Sequence, residues 1–264
     1  MGTPFCPGYG EEPFRSLVED CPGLEAYPQE AFRVEWGPVF HRGRLDGSAR
    51  LLVLGQDPAQ HETTARRILM GTAGRRVQGF LAKLGLVQGY VMINTFVYCV
   101  YNQTAAARHV GDAAVADYRG RWLQALLGGG GVTAVVAFGS LADRAWHQWL
   151  KTPAGAAQAG MAYRKLAHPT SPEAGGGDVA AATKKMLAAY DEGLQFLAAQ
   201  VQPDVATPLV PYGDAFGPAD QPPIPQRDLA AGSPAWMGIN DGWAVREGAN
   251  AADKRLNIRV TATL

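Results

Sequence analysis

Arg50-Leu51-Leu52-Val53-Leu54-Gly55-Gln56-Asp57-Pro58-Ala59 sets a short apolar run directly in front of a polar turn. The run lacks the alternation of a half-exposed strand and reads as a strand buried on both faces. Three further runs share this character: Tyr90-Val91-Met92-Ile93-Asn94, Val132-Thr133-Ala134-Val135-Val136-Ala137-Phe138-Gly139 and, more weakly, Met161-Ala162-Tyr163-Arg164-Lys165-Leu166-Ala167. Helical periodicity fills the intervals. Residues 74–86 put Val77, Phe80, Leu81 and Leu84 on one face, and residues 112–127 do so with Val115, Tyr118, Trp122 and Leu126 behind Asp112 as N-cap. Residues 140–150 and 178–200 continue the pattern. Strand–helix alternation with strands this apolar predicts a three-layer α/β/α domain around a central four-stranded parallel sheet.

Outward from that core, residues 1–31 read as an N-terminal helical segment with a helix near 12–20, and residues 32–40 as hairpin-like. The α/β domain spans 32–200. Residues 201–264 hold eight of the 18 prolines, together with Trp236, Trp243 and the run Leu256-Asn257-Ile258-Arg259-Val260. That composition predicts an ordered extension packed on the core, because disordered segments are poor in aromatic residues. No apolar stretch is long enough for a membrane span, and the N-terminus has no signal-peptide pattern. Three widely spaced cysteines give neither a disulfide framework nor a metal-ligand pair. A cytoplasmic monomer without a metal or cofactor is the expectation. The net charge is zero, which argues mildly against a nucleic-acid partner, but residues 1–40 carry −5 and residues 41–80 carry +4.

The polar residues collect at the strand ends. The first strand runs into Gly55-Gln56-Asp57-Pro58-Ala59, the second ends in Asn94-Thr95, and the fourth leads to His168-Pro169-Thr170-Ser171-Pro172. An open parallel sheet binds its ligand beyond the carboxyl ends of its strands, so a carboxylate, an amide and an imidazole are expected to meet there. An Asn amide offers one donor and one acceptor, which suits the N3–H/O4 edge of uracil. A neutral His can donate to a base as it leaves with negative charge. A carboxylate facing the sugar can stabilise an oxocarbenium-like transition state and orient water. Taken singly, each of these residues is as ordinary as a turn former or a cap; their joint placement gives the reading its force.

This motif set resembles that of the uracil-DNA glycosylase superfamily, over roughly residues 32–200. The spacing from Gly55-x-x-Pro58 to Leu69-Met70-Gly71-Thr72-Ala73-Gly74 is similar, without a gap, to a bacterial branch whose motif reads GEAPG…PFVGRAG. The resemblance implies hydrolysis of the N-glycosidic bond of uracil, or of another deaminated or modified base, flipped out of DNA. It implies Asp57 as the water-activating carboxylate, His168 as the stabiliser of the leaving base, Asn94 as the base-reading amide and Gln56 as a backbone contact. Arg66, Arg67, Arg75 and Ser171 are candidates for the DNA backbone.

The departures are as informative. Ala59 stands where the uracil-specific branch has a Tyr that blocks a 5-methyl group, so weaker rejection of 5-substituted pyrimidines is expected. Leu69 replaces a Phe that stacks on the flipped base. The similar bacterial branch carries an iron–sulfur cluster on four cysteines; with three here and no matching spacing, none is expected. After the His-Pro motif, Glu173-Ala174-Gly175-Gly176-Gly177 shows no intercalating wedge. His61 reads as solvent-exposed, Tyr98, Tyr101 and Trp149 read as packing residues, and Ser140 lacks a base to make it a nucleophile. His109 sits where one branch places a covalent His, but without that branch's basic run. Two other readings stay open from sequence: a relative that binds DNA or a nucleobase without cleaving it, and an α/β protein that binds free nucleotides.

Overall fold

The computed structural model describes residues 9–262. Residues 1–8, including Cys6 and the stretch read for a signal peptide, lie outside the described residues. Five strands form the central sheet: β1 (His41–Gly43), β2 (Leu51–Gly55), β3 (Tyr90–Asn94), β4 (Ala134–Phe138) and β5 (Ala162–Leu166). Their order is β1-β3-β2-β4-β5. The four strands expected from sequence are parallel, in register from Leu51 opposite Tyr90 to Gly55 opposite Asn94. The fifth, β1, is an antiparallel edge strand, with His41 opposite Ile93. It corrects the four-stranded expectation. Three residues, His-Arg-Gly, are too short and too polar to register as a strand; burial of His41 and Arg42 by their surroundings makes them one.

Side-chain alternation along β2 sorts the core into two layers. Leu52 and Leu54, with Val91, Ile93, Val135 and Ala137, pack against helices Ala113–Gly128 and Ser140–Trp149. Leu51 and Val53, with Tyr90, Met92, Val136 and Phe138, pack against helices Thr72–Lys83 and Val179–Ala198. Every residue of β2 is buried, as a strand covered on both faces must be. Asp178 caps the long helix by accepting the Ala181 N–H at 3.0 Å. Asp112 occupies the N-cap position of Ala113–Gly128, but its carboxylate turns instead to His109 Nδ1 at 2.6 Å.

Residues 32–40 do not form a hairpin. Phe32–Arg33 pairs with Cys99–Val100, and the Val39 N–H donates to Val97, so the segment is used against the residues that follow β3. At the N-terminus a helix spans Phe14–Glu19. Beyond residue 200, Val201, Tyr212, Ile224, Leu229, Trp243 and Ala244 are buried, and a small hairpin pairs Ala244–Arg246 with Ile258–Val260. None of the helices formed by the described residues is long and apolar enough to cross a membrane.

Candidate active site

β2 is central. The chain passes from it to β3 on one side and then crosses to β4 on the other, so the strand order reverses beside the carboxyl end of β2, where open α/β sheets bind ligands. A cleft of about 660 Å³ opens there, within the ~300–1,000 Å³ range of small-ligand sites. Gln56, Asp57, Ala59 and Leu69 line it from one side, and His168, Thr170 and Ser171 from another.

Asp57 accepts the Val100 N–H at 3.2 Å and the Gln103 side-chain amide at 3.4 Å. Burial raises its carboxyl from 3.8 to about 6, against the lowering effect of these two hydrogen bonds and of Arg33. His168 is shifted the other way: burial lowers it, with Arg76 adding to the effect, so the imidazole is neutral near pH 7. Its Nδ1 accepts the Thr170 N–H at 3.4 Å, which leaves the proton of the neutral ring on Nε2.

Asn94 is not among the residues lining the cleft; it is 5% exposed and ends β3 directly opposite Gly55 in the sheet register. Its amide nitrogen and its oxygen are both buried without a hydrogen-bond partner among the described residues. A Cβ on Gly55 would collide with the Asn94 Oδ1, so a glycine is what allows the amide to sit there. Buried polar atoms are normally paired, and leaving one unpaired costs about 1–3 kcal/mol.

Leu69 is held in the left-handed region at φ 55°, uncommon for a residue with a branched side chain, and it lines the cleft while 7% exposed. Glu62, which the sequence reading passed over, fixes this turn. Buried itself, it accepts the Met70 N–H at 2.7 Å and the Gly71 N–H at 3.2 Å through one oxygen, and the Ala59 N–H at 2.9 Å through the other. A signal was available: Glu62 stands three residues after Ala59, the position from which a Glu reaches back over a helix start. His61 is buried rather than exposed. It contacts the Asp241 carbonyl at 2.6 Å and packs edge-on to Trp243 at 5.0 Å, which are residues of the C-terminal extension.

The candidate phosphate ligands fare differently. Arg66 donates to the Trp36 and Pro38 carbonyls at 3.0 and 2.6 Å, Arg67 is buried and donates to the Arg66 carbonyl, and Arg75 donates to Gln221. These guanidiniums are engaged within the protein. Ser171 lines the cleft, half-buried, with its hydroxyl toward Met186 Sδ. Arg76 holds the His168 loop through the Pro169 carbonyl at 2.6 Å and Glu173 at 2.6 Å. After it, Gly176 and Gly177 adopt positive φ in an exposed loop with no large apolar side chain. His109 is not among the residues lining the cleft. No three His, Cys, Asp or Glu side chains converge as metal ligands among the described residues.

Fold and cleft together define an α/β protein with a cleft at the carboxyl edge of a mostly parallel sheet, lined by a carboxylate and an imidazole. The family model of the uracil DNA glycosylase superfamily matches residues 42–204, and the chain belongs to this superfamily of DNA-acting glycosylases. Comparison with curated proteins returns no match.

Proposed function

We propose that the chain hydrolyses the N-glycosidic bond of uracil, or of a closely related deaminated or modified base, after that nucleotide is turned out of DNA. The observation that carries the reading is the buried Asn94 amide with neither of its polar atoms partnered, in the strand next to the turn that presents Asp57. In this reading the amide pairs with the N3–H and O4 of uracil. His168 donates Nε2–H to O2 as the C1′–N1 bond lengthens and charge gathers on the base. Asp57, ionised, faces C1′, stabilises the positive sugar and orients the water that attacks it. The products are free base and an abasic site, from a monofunctional enzyme acting as a monomer without a metal.

The site supports a tolerant pocket. Ala59 contributes only a methyl group to the cleft wall, and Leu69 covers it without an aromatic ring. A single-turnover panel of oligonucleotides carrying uracil, hypoxanthine, xanthine, 5-hydroxymethyluracil and thymine opposite guanine tests both points. Base release from at least one of them is expected, falling about 100-fold or more in Asp57→Asn. Ala59→Tyr is expected to narrow the profile toward uracil. Binding without any abasic product would put the chain among non-catalytic relatives, and an unchanged profile in Ala59→Tyr would remove that residue from selectivity.

A further inference from the structure

A second concavity, of about 600 Å³, adjoins the cleft: Gln60 lines both. Its walls come from two distant parts of the chain. Arg33, Tyr101 and Asn102 belong to the core, while Val245, Arg246, Ala251 and Lys254 belong to the C-terminal extension, beyond the residues that the family model matches. Three cations line it and no carboxylate does. The side chains of Arg246 and Lys254 are exposed, with no ion-pair or hydrogen-bond partner among the described residues.

Arg33 makes this more than a basic patch. It is 4% exposed and held between two rings, 5.1 Å from Trp36 and 5.0 Å from Tyr101, and its Nε is buried without a partner. A guanidinium held rigidly beside two rings at the wall of the concavity suits an anion better than water. The same residue couples the two concavities: the Val100 carbonyl accepts from Arg33 while the Val100 N–H donates to Asp57. The extension is anchored for the purpose. Trp243 and Ala244 are buried ahead of Arg246, and the Leu256 carbonyl accepts from Trp36 Nε1 at 3.4 Å.

We propose that this concavity, walled by Arg33 and Tyr101 of the core and by Arg246 and Lys254 of the C-terminal extension, holds a backbone phosphate of the DNA strand next to the nucleotide in the cleft. The proposal rests on the glycosylase reading for the identity of the anion. A nucleotide placed with its sugar at Asp57 has a phosphate on either side, and Gln60, which lines both concavities, joins the cleft to this one. The arginines expected from sequence to grip the backbone are engaged elsewhere, and this site supplies the missing cations from a part of the chain that the family motifs do not reach.

The test is binding of a fluorescent, undamaged oligonucleotide by the full chain at several salt concentrations. Arg246 and Lys254 are exposed, so Arg246→Ala/Lys254→Ala is expected to fold as the parent does. It should bind roughly 5- to 10-fold more weakly, with a log–log salt slope shallower by about one, the signature of one lost phosphate contact. Lys254→Glu should weaken binding further. Arg259→Ala, in which the lost guanidinium is one already paired with Glu247 at 3.5 Å, is the control and should bind as the parent does. Equal losses in the control and the double variant, an unchanged affinity and slope in the double variant, or binding of dUMP as tight as that of the oligonucleotide would each overturn the assignment. Base release is scored separately. A chain that cleaves but ignores these substitutions loses only this site, whereas one that binds through them and never cleaves loses only the glycosylase activity.

Discussion

Burial raises the Asp57 carboxyl to about 6, while the role proposed for it needs the carboxylate. The rate should therefore climb with pH through about 6 and level above it. With one ionisation in that window, single-turnover base release at pH 5 should be about tenfold slower than at pH 7, and Asp57→Asn should flatten the profile. A rate that is flat from pH 5 to 7 would exclude Asp57 as the ionising group. Stability runs in the opposite sense. A carboxyl whose folded pKa lies above its unfolded value holds its proton more tightly in the folded chain, so stability falls as pH rises from about 4 to 6 and stays lower beyond. Asp57→Asn should then be more stable than the parent at pH 7, by an amount on the order of 1–3 kcal/mol, and the gain should vanish below pH 4. Urea unfolding at the two pH values measures it. At this scale the sequence was legible where residue type and strand end coincided: Asp57 and His168 line the cleft, and Asn94 ends the neighbouring strand opposite Gly55. Glu62, His61 and Arg33 were not, because their importance comes from burial and from partners far along the chain.

At the scale of elements, the cleft depends on the turn between helix Gln60–Ala65 and helix Thr72–Lys83. Leu69 holds its strained φ because Glu62 takes the two N–H groups that follow it, and because Gly74 allows the helix to approach the Leu69 carbonyl. A Cβ on Gly74 would strike that carbonyl. Gly74→Ala should thus displace Leu69, lower base release and cost about 1–3 kcal/mol, as overpacking a closed site does. Gly128→Ala is the matched control, since a Cβ there meets nothing within 4 Å, and it should be nearly neutral. Parent-like turnover and melting in Gly74→Ala would show that the turn does not depend on this contact. The long apolar runs and the 3.6-residue periodicity disclosed the four parallel strands and the helices behind them. β1 and the pairing of Phe32–Arg33 with Cys99–Val100 stayed hidden, because two- and three-residue strands carry no period of their own and exist only against a partner.

At the scale of the whole molecule, the C-terminal extension is fastened to the sheet by a buried ion pair. Arg42 of β1 and Asp228 of the extension lie 3.5 Å apart with both side chains fully buried, and Asp228 also accepts from Tyr90 Oη at 2.8 Å. Arg42 further reaches Met92 Sδ at 3.2 Å, so one guanidinium ties the edge strand, its neighbour and the extension together. Burial raises the Asp228 carboxyl even with Arg42 beside it, which means that the pair is held at a desolvation cost. Removing one member should therefore be worse than removing both. Asp228→Ala strands the Arg42 charge in the interior and should cost about 3–5 kcal/mol, whereas Arg42→Met/Asp228→Leu, which replaces the pair by apolar side chains of similar length, should come close to the parent. Denaturant unfolding of the three chains decides between this and a pair that stabilises in its own right, for which the double variant would lose as much as the single. Since the same extension seats Asp241 and Trp243 on His61 beside the cleft, Asp228→Ala should also weaken oligonucleotide binding at temperatures below its unfolding transition. The double variant should restore both stability and binding. Recovery of stability without recovery of binding would mean that the pair sets the position of the extension and not merely its attachment.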